Sequence, residues 1–544
     1  VKPTEQQAAI VAVAKTGAHL VIEAGAGTGK TSTLKLLARA KPNDKGVYLA
    51  YNRSIATDAA KSFPSTVVCK TAHSFAFASV GRLYSDRLGA PRQPARVTAQ
   101  LLGINSPLVL GDDVPKLAPQ QIARIVMATV DRFCQSADAE IVRRHVPLVA
   151  AFEAPAARAA LAQEIVPIAR RAWEDITHLR GRLRFTHDCY LKIWQLSEPD
   201  LRADYVLLDE AQDSNPAVAA VVSGQRAQRI LVGDRCQAIY GWRGAVDAMQ
   251  SFDGQRLYLS QSFRFGPAIA DEANKWLGLL DAELRLTGYA AIDSTVQPLG
   301  TPDAILCRSN GGTLEHVMGA QSGGRRVALV GGGREWRGYA EAAQQLLRGE
   351  PCNHPELVAF SSWAEVQDYV DQDAGGTDLK VIVKLIDKHG PVAILDVTQR
   401  LVDENEAQLI VSTAHKAKGR EWETVRIADD FREPRPDPQT GEAKIRPEDA
   451  MLAYVSITRA QNVLDRDGLA WVDNWVLAPT MRAALVDPTP VNVALALHDY
   501  GPGADRPASP PAPGALHAGE CRGLCDDTFP DRCLWPEPLP AGVR

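Results

Sequence analysis

The sequence contains no apolar run of about 18 residues and no signal peptide, which removes a membrane-spanning helix and a secretory route. These absences predict a cytoplasmic or nucleoid-associated protein with no membrane partner. Cysteine is sparse, nine in 544 residues, and Cys69, Cys134, Cys189, Cys236, Cys307 and Cys352 stand singly. That usage excludes a disulfide framework and reads as reduced, mostly buried thiols. Positive charge is not in excess: 60 Lys and Arg against 65 Asp and Glu leave a net charge of −5. A wholesale basic coat is therefore absent, although local grooves for a polyanion are not excluded. No internal repeat with a period of 20–50 residues is visible, which argues against a solenoid.

What is present is an ordinary globular composition, with 23% charged and 45% hydrophobic residues, on a chain long enough for three or four domains. Strand-like runs followed by helical patterns recur at 19–23, 46–50, 204–209 and 229–232, the mark of a parallel α/β sheet. Between 76 and 200 the texture becomes rich in alanine and arginine at helical spacing, as in "LAPQQIARIVMATVDRFCQ". This predicts a helical insertion within the first sheet domain. A second strand-rich region is expected from near Leu257 ("RLYLS") through 303–308, 408–413 and 424–431, with a further, partly helical insertion over 310–400. From Gly501 nine prolines fall in the last 44 residues, so the tail is expected to form no packed core. His517, Cys521, Cys525 and Cys533 offer four zinc-type ligands there, but match no strong zinc spacing, and an unstructured tail is the better reading.

The stretch "VIEAGAGTGKTST" (21–33) carries the first chemistry. A buried strand runs into a loop of small residues, Ala24 to Gly29, and Lys30 and Thr31 open a helix expected to reach about Ala40. Backbone N–H groups of Gly25, Ala26, Gly27, Thr28 and Gly29 can turn inward to phosphate oxygens, with the helix dipole behind them. Lys30 reaches the β- and γ-phosphates, and the Thr31 hydroxyl ligates Mg²⁺. Ala24 stands where the general pattern has its first glycine. "YVLLDEAQDSNP" (205–216) is an apolar strand ending in two carboxylates. Asp209 can hold the metal, usually through water, and Glu210 can polarise an attacking water. A lone "DE" is equally natural as an acidic helix start, but the upstream loop weighs against that.

"DEAQD" together with "VGDRCQAIYGWRGA" (232–245) resembles the UvrD/Rep group of superfamily 1 DNA helicases. "TEQQAAI" (4–10), "AYNRSIATDAA" (50–60), "TAHSFA" (71–76), "LSQSFRFG" (259–266), "STAHKAKGREW" (412–422) and "AYVSITRAQNVL" (453–464) follow in the family's order. "FTHDCYLKIWQL" and "SQSFRFG" are most similar to the F-box DNA helicase branch, although no F-box precedes the motor. The resemblance implies two tandem RecA-like parallel-sheet P-loop NTPase domains, each interrupted by a mainly helical insertion. The expected boundaries are 1–75 with 200–265 for the first domain and 76–199 for its insertion. The second domain would span 266–309 with 401–480, its insertion 310–400, and the tail 481–544.

By the same resemblance, Gln6 binds the adenine edge and Phe263 stacks on the base, while Ser32 occupies a place where the family often has an arginine. Gln237 senses the γ-phosphate, Arg264 and Arg459 are arginine fingers, and Glu421 contacts the ribose; Arg420 replaces the usual leucine. Asn52, His73, Tyr240, Trp242, Arg243 and His415 fall at strand-contacting positions. The arginines of "HLRGRLRF" (178–185) suit either a nucleic-acid contact or a solvated turn.

The resemblance therefore implies an ATP- and Mg²⁺-dependent DNA helicase or translocase on single-stranded DNA. It would move 3′ to 5′, in repair or recombination, on single strands and single-strand/duplex junctions. A recombinase or a single-strand binding protein is a candidate partner. The short second insertion favours translocation or protein stripping over strong unwinding. The competing readings are an ATP-binding DNA clamp or partner-dependent regulatory subunit, and a helicase–nuclease subunit, for which 470–544 supplies no clustered acidic set.

Overall fold

Short runs of Val, Ile, Leu and Tyr form twelve strands among the described residues, arranged in two parallel six-stranded sheets. The computed structural model describes residues 2–476 apart from 91–92, 112–113, 150–151, 242–246, 355, 358–359, 373–376, 437–439 and 442. In the first sheet, β1 (Leu20–Ala24), β2 (Gly46–Ala50), β3 (Val67–Thr71), β4 (Tyr205–Leu208), β5 (Gln228–Gly233) and β6 (Gln255–Leu259) take the order β3-β2-β4-β5-β1-β6. Every β2 and β4 residue is buried, as a parallel sheet covered on both faces requires.

Side-chain alternation divides the core. Leu20, Ile22, Tyr48, Tyr205 and Leu207 face helices Glu5–Ala14, Lys30–Arg39 and Arg53–Ala60. Val21, Val47, Leu49 and Val206 turn the other way, onto Val126, Phe133, Ile165 and Ala169 of helices Pro119–Cys134 and Pro155–Thr177. The helices expected between 76 and 199 thus share one core with the sheet.

In the second sheet, β7 (Thr295–Val296), β8 (Ala304–Cys307), β9 (Val327–Leu329), β10 (Leu409–Thr413), β11 (Trp422–Ile427) and β12 (Ala460–Asp465) take the order β7-β12-β11-β8-β10-β9. Ala304, Leu306, Val425 and Ile427 face Trp276 and Tyr454, whereas Ile305, Cys307, Leu409 and Val411 face Trp336, Tyr339 and Leu385. The chain is an α/β protein with two parallel sheets in tandem.

Two strand readings change. "RLYLS" does not start the second strand-rich region: it forms β6, which pairs with β1 from Leu20↔Gln255 to Ala24↔Leu259, in keeping with the bounds 200–265 expected for the first domain. An apolar run carries its own conformation but no mark of which sheet it joins. Strand β3 escaped notice because Cys69 and Lys70 interrupt its apolar pattern, as suits a sheet edge. β9 lies inside 310–400 yet pairs with β10, so the second sheet draws a strand from that interval. The tail at 481–544, with its zinc ligand set, lies outside the described residues. Among the described residues no helix is long and apolar enough to cross a membrane.

Candidate functional site

The phosphate loop sits where β1 ends and the helix Lys30–Arg39 begins. Gly29 caps that helix with φ 78°, a left-handed conformation that a glycine adopts without steric cost. At Gly27 a side chain has no room, because a Cβ would stand 2.5 Å from Ser262 Oγ and 2.6 Å from Arg264 Cβ. The segment carrying Phe263 and Arg264 is itself tied to the loop, since Phe263 N donates to Gly27 O at 2.8 Å.

Three carboxylates converge on the loop's Lys30. Lys30 Nζ lies 3.0 Å from Glu210 Oε1. Burial opposes the Lys30 charge, but Glu210, Asp234 and Asp209 outweigh it and hold its pKa above the usual value. Glu210 occupies a left-handed backbone position, φ 51°, immediately after β4, where it reaches both Lys30 and the Gln212 amide. Burial, reinforced by Glu210, raises Asp209 above the ordinary carboxylate range, and the Tyr48 hydroxyl donates to it at 2.5 Å. For Glu210 burial is outweighed by Lys30 and Lys418, and its pKa is lowered.

The second sheet's elements close the site. The Tyr454 hydroxyl, on helix Pro447–Ile457, donates to Asp234 at 2.9 Å and accepts from the loop's Ala26 N at 3.2 Å. Gln237 donates to Asp234 at 2.7 Å and accepts from Arg459 at 3.4 Å. Arg459 is 2% exposed, and burial, then the Arg264 charge, lowers its pKa to about 9, so it stays protonated at neutral pH. Arg264 bonds Glu421 at 2.5 Å and the Thr458 carbonyl at 3.0 Å. Arg420 pairs with Glu404, and its backbone carbonyl accepts from Arg459. Lys30, Asp209, Glu210, Gln237, Arg264 and Arg459 therefore gather around one loop, with Glu421 beside Arg264.

A metal fits this donor set. Lys418 neutralises Asp213 through Oδ2, but the Asp213 Oδ1 atom is buried with no hydrogen-bond partner, and burial, then Glu210, raises Asp209. Among the described residues no three His, Cys, Asp or Glu side chains form a metal cage of their own. Mg²⁺ suits that arrangement, because it commonly binds through one or two protein oxygens plus substrate phosphates. Thr31 and Asp209 are the residues that would hold it, by their places in the loop and at the end of β4.

At the base side, Phe263 is 41% exposed and its ring lies 5.6 Å from that of Tyr289. Ser32 Cβ and Phe263 Cδ2 flank the empty side of Gly29, at 3.8 and 3.9 Å from its missing Cβ. Gln6 is held by Ser260 through both ends of its amide, at 2.9 and 3.0 Å, which positions it at the end of β6.

A cavity of about 370 Å³ opens along the ends of β2, β3 and β4, lined by Tyr51, His73, Asp188, Asp209, Asp213 and Tyr240 among others. Tyr51 is 48% exposed, and its ring runs nearly parallel to that of Tyr240, 12° apart with centroids at 6.4 Å. Tyr240 donates to the His415 carbonyl at 3.0 Å. His73 meets Asp188 at 3.4 Å. Asn52 caps helix Arg53–Ala60 through Ile55 N, so its side chain has a local structural task. Trp242 and Arg243 lie outside the described residues.

Sequence reasoning missed Tyr51, Tyr289, Tyr454, Asp213 and Lys418. Lys418 bonds Asp213 and the Gln237 carbonyl, and lies 5.2 Å above the Tyr240 ring. Its signal was available: "HKAKG" places it in a segment already assigned to the site, and Tyr51 adjoins Asn52.

Comparison with known proteins agrees with this geometry. Residues 194–255 match the UvrD/REP helicase N-terminal domain, and residues 356–465 the UvrD-like helicase C-terminal domain. The F-box DNA helicase protein 1 of Schizosaccharomyces pombe is 28% identical over 512 residues, covering 85% of this chain and 57% of that protein. The F-box DNA helicase 1 of Gallus gallus is 30% identical over 502 residues, covering 85% and 48%. DNA helicase II of Haemophilus influenzae is 34% identical over 82 residues, 14% of this chain and 11% of that one. The chain thus spans about half the length of the F-box relatives. Both matched domains and the relatives lead to one assignment: the chain belongs to the UvrD-like helicase family.

Proposed function

We propose that this protein is an ATP-dependent DNA helicase or translocase that moves on single-stranded DNA, 3′ to 5′ by family resemblance, in DNA repair or recombination. The observation that carries the reading is the segment 234–240. Asp234 meets Tyr454 and Gln237 beside the phosphate loop, Gln237 meets Arg459, and Tyr240 faces Tyr51 in the groove. Six residues thus join a nucleotide cleft to an aromatic-lined groove, the linkage a strand motor needs.

In this reading the loop amides and Lys30 bind the triphosphate, Phe263 and Tyr289 stack on the base, and Gln6 reads its edge. Bound Mg²⁺ would neutralise charge on the phosphate oxygens. Glu210 orients water, its lowered pKa keeping it ionised as an acceptor. Arg264 and Arg459 come from beyond the loop and stabilise negative charge on the transferred phosphoryl group, the task of arginine fingers. Nucleotide phosphate would displace Tyr454 from Ala26 N, and the second sheet's helix would shift with it.

The test is the steady-state ATPase rate without nucleic acid, with single-stranded DNA and with blunt duplex, using Lys30→Ala as the blank. Strong stimulation by single strands is expected. A wild-type rate indifferent to every DNA would replace the motor with an ATP-binding clamp.

A further inference from the structure

The turn at 178–185 takes no part in the cleft or the groove, yet it is basic and its backbone is tightly held. It follows the long helix Pro155–Thr177 and is held from several sides. Arg87 donates to the carbonyls of Ile176 and Leu183 at 2.8 Å and of His178 at 2.6 Å. The Asp175 carboxylate accepts from Arg182 N at 2.9 Å and Leu183 N at 2.8 Å. Phe185 stacks on Tyr84 with ring centroids 4.2 Å apart. At Gly181 a Cβ would stand 1.8 Å from the Asp175 carbonyl oxygen, so only glycine fits that approach.

These bonds are made largely by the turn's backbone, which leaves its cations free. Leu183 and Phe185 are buried while Arg180, Arg182 and Arg184 are exposed. Among the described residues none of the three arginines has a carboxylate partner. A chain of net charge −5 keeps three unpaired guanidiniums within five residues on a fixed scaffold. The scaffold also runs directly into the groove. Arg184 precedes Asp188 by four residues, and Asp188 lines the cavity with His73, so at most about 14 Å of chain separates them.

We infer that this turn grips the phosphate backbone of duplex DNA at the rim of the strand groove. The inference rests on the DNA-motor reading above. Guanidiniums fork onto phosphate oxygens, whereas single strands are held chiefly by exposed aromatic faces, and the turn's only phenyl ring is buried. A rigid array of cations also suits a duplex, whose phosphates hold fixed positions, better than a flexible strand.

The test compares wild type with the variant combining Arg180→Gln, Arg182→Gln and Arg184→Gln. Affinity for a single-strand/duplex junction, and for a single strand of the same overhang, is measured between 50 and 200 mM salt. Each lost phosphate contact lowers the salt slope by about 0.9 on duplex DNA, so three flatten the junction slope by nearly 3. Over that fourfold change of salt, wild type should lose about 40-fold more junction affinity than the variant. Single-strand affinity and single-strand-stimulated ATP turnover should be retained. An unchanged junction slope, with stimulated turnover intact, would overturn the inference. So would an equal drop in the single-strand slope, which would make the turn part of the strand path. Arg180→Gln alone provides a second readout with minimal risk to the fold, and should flatten the junction slope by about 1. Failure of the motor reading appears separately, as absent DNA stimulation in wild type.

Discussion

Replacing Lys418 by methionine should destabilise the protein by an amount that grows with pH. Lys418 reaches from the second sheet's segment to Asp213 beside β4, and the two side chains are only 10% and 2% exposed. Burial lifts the Asp213 pKa from 3.8 to about 6, even though Lys418 pulls it down. Without the ammonium, the carboxylate stays protonated in the folded state across the neutral range. The folded pKa lies above the unfolded one, so this group lowers stability as pH rises from about 4 to 6 and then levels off in wild type. In the variant the decline continues past 6. Linkage makes the extra cost grow from under about 1 kcal/mol at pH 6 to about 3 kcal/mol at pH 8. Loss of the bond to Gln237 O adds a roughly pH-independent term of about 1 kcal/mol. Urea denaturation of both proteins at the three pH values measures the difference. A destabilisation identical at pH 6 and pH 8 would refute the ion-pair reasoning, because a purely steric defect has no cause to titrate.

Phe263→Ala should raise KM for ATP about 5- to 150-fold with kcat little changed, since stacking worth about 1–3 kcal/mol binds ground and transition states alike; a fall in kcat at constant KM would remove Phe263 from the base site. Tyr51→Ala should weaken single-strand binding, read by fluorescence anisotropy, by about 1–3 kcal/mol, and an unchanged Kd would take Tyr51 off the strand path. Asp473→Asn probes a network at the end of the second sheet, where Arg466, then Lys275, draws the carboxylate pKa down to about 2 against the effect of burial. A folded pKa below the unfolded one stabilises above about pH 4 and is lost as pH falls toward 2. With Asp473 43% exposed, solvent screening reduces the expected gap between wild type and variant to about 1 kcal/mol at pH 6. That gap should narrow below pH 4, to about a third of its full size at pH 2.5, and one undiminished at pH 2.5 would contradict the assignment.

The residues legible in the sequence share a property: their task is set by neighbours in the chain. Lys30 and Thr31 follow a strand and a loop of small residues, and Asp209 and Glu210 end a strand. Local conformation alone delivers those side chains to the sheet's edge. Tyr454, Lys418 and Tyr289 depend on contacts between distant segments. Tyr454 meets Ala26 across 428 positions and Lys418 meets Asp213 across 205, and no periodicity encodes such a meeting. The strand "RLYLS" failed for the same reason, because its conformation is local but its partner β1 is not. Asn52 shows the converse: its motif position pointed to DNA, and its Oδ1 also serves a local task, the helix cap, which the sequence shows without any resemblance. The distinction bears on how the two sheets communicate. Two of the cross-sheet contacts at the loop are polar bonds to groups that a triphosphate also needs: Ala26 N for Tyr454, and Gln237 for Arg459. Each bond is worth about 1–3 kcal/mol, so nucleotide binding competes with the contacts that hold the sheets in this arrangement and has enough free energy to replace them. In the proposed motor, these polar bonds would be the part of the interface that nucleotide occupancy can exchange, and through the segment 234–240 they would connect it to Tyr240 and the groove.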